Sequence, residues 1–210
     1  MREFVKVQQL GLREYCSVWQ QLRRFTTERS ADTLDEIWLL EHESVYTQGQ
    51  AGKPEHLLDP QNIPIIKSDR GGQVTYHGPG QLIVYLLTDI QRKKINIKQF
   101  IFNLEQAVIE LLESYNIKAH RENNAPGVYV NNAKICSLGL RVRHGRTYHG
   151  LSLNIAMDLE PFTRINPCGY TDMQVVQIKD FGVTDSVNTV AAKLLPLLIK
   201  KINYQGVTYE

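Results

Sequence analysis

The glycines at 71, 72, 78 and 80 bracket a polar run, Thr75, Tyr76 and His77, and the chain then passes directly into the apolar segment QLIVYLLTDI. Glycine permits positive φ and close backbone approach, so a glycine loop tied to a strand restricts the folds this chain can adopt. Two nucleotide-binding patterns drop out. A dinucleotide fingerprint is GxGxxG opening a helix, and a phosphate loop ends in Gly-Lys-Ser/Thr. Here the loop opens a strand and carries no lysine. A tight hairpin is the plain reading, and the polar side chains between the glycines favour a ligand wall.

The flanking sequence supplies the frame. Val18, Trp19, Leu22 and Phe25 lie at helical spacing within residues 13–29, with Arg23, Arg24 and Arg29 on the solvated side. EIWLLEHESVYTQG reads as one strand leading into a loop, residues 51–64 as a proline-punctuated loop, and IPIIKS as a short strand. The clearest helix spans 96–117: Ile101, Leu104, Val108, Leu111 and Tyr115 repeat at steps of three and four, and Asn96 can cap its start. GVYV, KICSLGLRV and TYHGLSLNI are strand-like, with Asn131-Asn132 as a turn between the first two. DSVNTVAAKLLPLLIKKI is helical, and Pro196 is expected to end or kink it, giving two short helices. Helices and strands do not alternate regularly. That order predicts an α+β (mixed α/β) fold with helices packed on a sheet, in a single domain over 1–210. The last 40 or so residues could form a small appended lobe.

A net charge of +2 gives no bulk electrostatic reason to bind nucleic acid. No stretch reaches the roughly 18 apolar residues of a membrane span, and the N-terminus lacks the apolar run of a signal peptide. The three cysteines form no CxxC pair, which argues against a disulfide framework and a structural zinc site. These features predict a cytoplasmic protein with no membrane partner and no metal. The lack of a leftover apolar stripe favours a monomer.

In a reducing compartment each thiol is either a packing residue or a reactive group. Cys16 sits near the start of the first helix and reads as structural. Cys136 lies inside an apolar strand, whereas Cys168 lies between proline and glycine in TRINPCGYTD, on a loop. A nucleophilic thiol needs a group that stabilises its thiolate or takes its proton. His42, His77 and His149 are candidates, as is Lys134 if desolvation lowers its own pKa. Lys134 and Cys136 share a strand face by the period of two, so these residues alone do not choose between Cys136 and Cys168. RVRHGRTYHG is a basic hairpin, either a solvated turn or a docking surface for an acidic partner.

Taken together, RGGQVTYHGPGQ, IWLLEHESVYTQG, GVYV, AKICSLGLRV, HGLSLNI and INPCGY resemble the octanoyltransferase family along most of the chain. Leu86 stands where many members carry proline. The resemblance implies a biotin/lipoate protein ligase-like fold, a mixed β-sheet flanked by helices. It also implies transfer of an octanoyl group from octanoyl-acyl carrier protein to a lysine of lipoyl domains. Those acceptors are the domains of 2-oxo-acid dehydrogenases and the glycine cleavage system H protein, and the reaction needs no cofactor. By the same resemblance Cys168 is the nucleophile and Lys134 its partner. The substrate-lining residues would be Arg70, Gly71, Gly72, Gln73, Val74, Thr75, Tyr76 and His77, then Ser137, Leu138 and Gly139, then Gly150, Leu151 and Ser152. Backbone N–H groups near Gly78 or Cys168 would hold the oxyanion. Two rival readings are an ATP-dependent lipoate or biotin ligase of the same fold, and a non-catalytic carrier-domain or RNA-binding module.

Overall fold

The computed structural model describes residues 4–123, 125–171 and 173–209. In chain order the elements begin with β1 (Phe4–Arg13), α1 (Tyr15–Glu28), β2 (Asp35–His42), β3 (Val45–Gln48), β4 (Ile65–Lys67), β5 (Val74–His77) and β6 (Gln81–Leu87). They continue with α2 (Ile97–Ser114), β7 (Ala119–Glu122), β8 (Ala125–Val130), β9 (Ala133–Arg143), β10 (Arg146–Asn154), β11 (Gln174–Val175), α3 (Val187–Ile202) and β12 (Gly206–Tyr209). The large sheet runs β12-β1-β2-β6-β10-β9-β8-β7, with β11 paired to β9, and a small sheet runs β4-β3-β5. The β12–β1, β1–β2 and β11–β9 pairs are parallel, and the rest of the large sheet is antiparallel. This is the mixed α+β arrangement that the element order predicts.

The centre of the large sheet explains why helices cover both of its faces. All seven residues of β6 are buried. Leu82, Val84 and Leu86 point into one cluster with Leu104, Val108 and Leu111 of α2 and Leu194, Leu195 and Leu198 of α3. Ile83, Tyr85 and Leu87 point the other way, to Val18 and Leu22 of α1 and to Trp38 and Leu40 of β2. Strand alternation thus feeds two apolar layers from one segment.

Several elements differ from their sequence expectations. EIWLLEHESVYTQG is two strands that belong to different sheets, with the chain breaking at Glu43–Ser44. Residues 4–13, which carry no strong apolar signal, form β1, where only Val5 and Val7 are buried. Pro196 neither ends α3 nor splits it. It lies on the exposed side, as does Ala192, so the carbonyl that loses its helical donor faces water. The buried leucines on the opposite side hold the helix in one piece.

The C-terminal residues do not stand apart as a lobe. Besides the core contacts of α3, the Tyr204 hydroxyl donates to Asp35 at 2.9 Å, and β12 adds to the sheet edge beside β1. The Asn131 turn does join β8 to β9, with Asn131 at φ 52°, and the basic hairpin joins β9 to β10. Among the described residues no helix is long and apolar enough to cross a membrane.

Candidate active site

A cavity of about 340 Å³ opens where the glycine loop, β6, β9, β10 and the Cys168 turn meet. Its chemistry starts from two residues 34 positions apart. Lys134, the second residue of β9, is 3% exposed and turns its Nζ toward Cys168 Sγ at 3.2 Å. The same Nζ reaches the Pro126 carbonyl at 3.4 Å and lies 5.1 Å from the centre of the Tyr129 ring. Gly127 makes room for this side chain: a Cβ there would come within 3.1 Å of Lys134 Cε and 2.8 Å of the Cys136 carbonyl.

Cys168 sits in a single 3₁₀ turn, Pro167–Gly169, at φ 57° and ψ 14°. A side chain in this left-handed region costs energy, and such residues gather at functional sites. The turn is tied back to Lys134 itself. β11 pairs with Ala133 and Lys134, and the Val176 N–H donates to the Lys134 carbonyl at 3.0 Å. The strand that carries the ammonium therefore also fixes the loop that carries the thiol.

The electrostatics of the pair differ from the sequence expectation. Burial works against the Lys134 ammonium, but the Cys168 thiolate and the Tyr129 hydroxyl outweigh it and hold Lys134 above its ordinary pKa. Lys134 thus rests as a cation beside sulfur, and desolvation alone does not make it a neutral base. Cys136 has the opposite environment. Burial, with Glu105 acting in the same direction, pushes its thiol far up, and Lys134 offsets only part of this.

The glycine loop packs on the cavity's other side. The Gly71 N–H donates to the Leu140 carbonyl at 3.1 Å, and Gly72 adopts φ 86°. A Cβ on Gly139 would lie 3.2 Å from the Gly71 carbonyl, so loop and β9 meet backbone to backbone. Arg70 is buried and spends its guanidinium on this loop: it donates to Thr47 Oγ1 at 3.0 Å, Gln73 O at 2.7 Å and Gly71 O at 2.9 Å. It braces the glycine loop against β3.

Of the residues named from sequence, Arg70, Gly71, Gly72, Gln73, Val74, Thr75 and His77 line the cavity together with Ser137, Leu138, Gly139, Gly150, Leu151, Ser152, Lys134 and Cys168. Tyr76 is not part of that lining. Its ring packs with Tyr46 and Phe162, and its hydroxyl lies 3.0 Å from Ser44 Oγ. The period of two along β5 turns Tyr76 away from the side taken by Thr75 and His77. Gly78, considered as an oxyanion donor, also lies outside the lining.

Sequence reading missed the remaining walls. Ile97 and Ile101, one helical turn apart, and Ile83 and Tyr85, two apart on a strand, follow periodicities that could have exposed them. Tyr15 lines the cavity with no such signal, and Asp69, outside the lining, holds the wall residue His149. Asp69 accepts from Trp19 Nε1 at 2.7 Å, the Tyr148 hydroxyl at 2.5 Å and His149 Nε2 at 3.0 Å. Burial disfavours its charge, but these three donors outweigh burial and hold it well below the usual carboxylate range.

His42 and His77 are neutral in this environment. His42 Nδ1 donates to the Arg13 carbonyl at 3.0 Å, and its Nε2 accepts from Tyr85 at 2.7 Å. His77 Nδ1 donates to Gln81 Oε1 at 2.7 Å. Burial above all pulls His42 down to about 4 and His77 to about 3. Among the described residues no group of three or more His, Cys, Asp or Glu could hold a metal ion.

The fold resembles that of the lipoate and biotin protein ligases. A bipartite lipoate protein ligase from Thermoplasma acidophilum superposes at TM-score 0.77, with 15% identity over 99% of this chain and 86% of that one. Biotin protein ligase from Aquifex aeolicus superposes at 0.56, with 13% identity over 94% and 68%. Sequence goes further. The family described as Lipoyl protein ligase A/B catalytic domain matches residues 15–198. The octanoyltransferase of Nitrosomonas europaea is 54% identical over 198 residues, 94% of this chain and 97% of that one. The chain belongs to the octanoyltransferase family, and it is an acyltransferase.

Proposed function

We propose that the protein moves an octanoyl group from the thioester of octanoyl-acyl carrier protein to a lysine of lipoyl domains, through a thioester on Cys168. The acceptors are the lipoyl domains of 2-oxo-acid dehydrogenases and the H protein of the glycine cleavage system. The observation that carries this reading is the 3.2 Å contact between Lys134 Nζ and Cys168 Sγ at the wall of a mainly apolar cavity. A cation beside the sulfur favours the thiolate, the form that attacks. The cavity walls Ile83, Leu138, Leu151 and Ile101 suit an alkyl chain, whose burial contributes about 0.8 kcal/mol per methylene.

Proton positions close over the cycle. The Cys168 thiolate attacks the donor carbonyl, the donor C–S bond breaks, and Lys134 gives its proton to the departing carrier thiolate. With Cys168 acylated, the charge that supported the Lys134 ammonium is gone, and burial then favours the neutral amine. The acceptor lysine attacks the thioester as a free amine and passes a proton to Lys134. Its C–N bond forms, the C–S bond breaks, and the electron pair returns to Cys168. Thioester to amide runs downhill, so no ATP and no cofactor enter. We assign the oxyanion to the backbone N–H of Cys168, a reading supported by the left-handed turn that carries the thiol at the cavity.

The test is an intact mass measured after incubation with octanoyl-acyl carrier protein, without acceptor or ATP. One octanoyl adduct, released by hydroxylamine and mapped to Cys168, is the expected outcome. No adduct, with transfer appearing only on adding ATP and free octanoate, would overturn the proposal.

A further inference from the structure

Three buried side-chain polar atoms find no hydrogen-bond partner among the described residues: Arg29 Nε, Arg92 Nε and Gln73 Oε1. The two arginine atoms belong to the guanidinium pair around Asp35. Gln73 Oε1 has no such neighbour, and it is buried within a residue that lines the cavity. Its amide lies against the turn that carries the thiol: a Cβ built on Gly169 would come 3.0 Å from Gln73 Nε2 and 3.1 Å from its Cδ. The backbone of Gln73 is fixed, since its carbonyl accepts from Arg70 at 2.7 Å and from the Gly49 N–H at 3.1 Å. A buried carbonyl oxygen without a donor is destabilising, and a protein that keeps one beside a nucleophile has a reason to.

A carbonyl oxygen can only accept. Among the groups that pass through this site on the proposed reading, the thioester carbonyl is itself an acceptor and the alkyl chain is neither donor nor acceptor. The incoming lysine amine is the N–H donor among the reacting groups. We propose that Gln73 Oε1 is a catalytic contact for the second half-reaction, accepting one N–H of the acceptor lysine while the other proton passes to Lys134. The inference rests on the acyl-enzyme route proposed for Cys168.

The step balances. The amine nitrogen lone pair forms the C–N bond, and the C–S pair returns to Cys168 Sγ. One proton goes to Lys134 Nζ, and the N–H held by Gln73 stays on nitrogen as the product amide N–H. As the C–N bond forms, the nitrogen becomes positive and its N–H a stronger donor. The contact therefore strengthens in the transition state, which is what accelerates a step. A neutral amide also suits this place better than a carboxylate. A negative charge here would favour the lysine ammonium, which cannot attack.

The experiment separates the two half-reactions. Acyl-enzyme is first formed from octanoyl-acyl carrier protein and followed by intact mass. It is then isolated and mixed with a lipoyl domain in a single turnover. Gln73→Leu is expected to slow transfer to the domain about tenfold more than it slows acyl-enzyme formation. It removes an unpaired buried acceptor, so its unfolding temperature should match or exceed that of the parent. Gln73→Glu is expected to move the pH limb of the second step to higher pH. Equal slowing of both steps, or an unmoved limb in Gln73→Glu, would overturn the role of Gln73. If Gln73→Leu does not fold, Gln73→Met is read in the same way, with Gln73→Glu as the independent arm. Failure of the parent protein to form any acyl-enzyme would instead remove the proposed function.

Discussion

Cys168 and Cys136 both feel the charge of Lys134, yet their surroundings set them apart. Cys168 is half-buried on a strained turn, in contact with the ammonium, with a cavity in front of it. Cys136 is 1% exposed in the main apolar cluster, packed with Ile135, Val128 and Leu153. Among the described residues its sulfur has only a distant hydrogen-bond contact, to the neighbouring Ser137 carbonyl at 3.8 Å. The two thiols thus share one charge field, and Cys168 is the one in contact with its source. The difference lies in desolvation. An anion gains where a cation touches it at a cavity wall, and is suppressed where burial outweighs a cation that does not touch it.

The sharpest way to break this comparison is to remove each thiol in turn. Cys168→Ala should abolish octanoyl transfer, by at least about 10³-fold, while the fold survives. Mass mapping of the parent enzyme should find the acyl group on Cys168 alone. An adduct on Cys136 would reverse the ranking of the two sites.

Next comes the cation. Lys134→Met keeps much of the side chain's bulk but leaves Cys168 without its partner, and should lower turnover by about 10²- to 10⁴-fold. The rate of thiol alkylation gives an independent reading. Iodoacetamide should modify Cys168 faster in the parent enzyme than in Lys134→Met. Equal rates would mean that the 3.2 Å contact does not activate the sulfur.

How much of this was legible in advance follows from spacing. The helices and central strands announce themselves through apolar periodicity, as Leu104, Val108 and Leu111 do. β1 does not, because only Val5 and Val7 of its ten residues are buried, and its other apolar residues, Phe4, Leu10 and Leu12, do not continue a period of two with them. The mixed sheet and the octanoyltransferase resemblance were legible because long motifs survive intact. The Lys134–Cys168 contact was named through that resemblance, since periodicity pointed equally to Cys136. The loop brace is less visible still. Asp69 gathers Trp19, 50 residues before it, and Tyr148 and His149, 79 and 80 residues after it. Pairings across such distances depend on strand order, which local patterns do not encode. Pro196 shows the converse: a strong local rule yields when the lost hydrogen bond faces water and packing holds the other side.

The desolvation argument has a consequence for acid stability that sharpens the comparison. Burial that suppresses an anion at Cys136 must also suppress cations on the histidines beside the cavity. His42 at about 4 and His77 at about 3 both lie below the ordinary 6.5. Between these values the unfolded chain binds protons that the folded chain refuses, so stability falls as pH falls. Each histidine contributes at most about 1.4 kcal/mol per pH unit, and His149 shifts in the same direction. Urea midpoints should therefore decline from pH 6.5 to 5, above the range where ordinary carboxylates titrate. A flat profile over that window would mean that these rings gain protons in the folded state, and that burial here is weaker than the comparison requires.

The smallest effect concerns Cys136 itself. If this thiol only fills space, Cys136→Ala removes one sulfur from a packed cluster and should cost about 1 kcal/mol of stability, comparable to losing a buried methylene. Its acyl-enzyme formation should match that of the parent, and its lower unfolding temperature should be its main phenotype. Cys136→Ser sharpens the point, because a hydroxyl of similar size in the same apolar cluster adds an unpaired polar group and should destabilise more than alanine does. Calorimetry on the two variants decides the matter. Serine tolerated as well as alanine would show that the site is wetter than its neighbours Ile135, Val128 and Leu153 allow. The contrast between the two cysteines would then have to rest on the Lys134 contact alone.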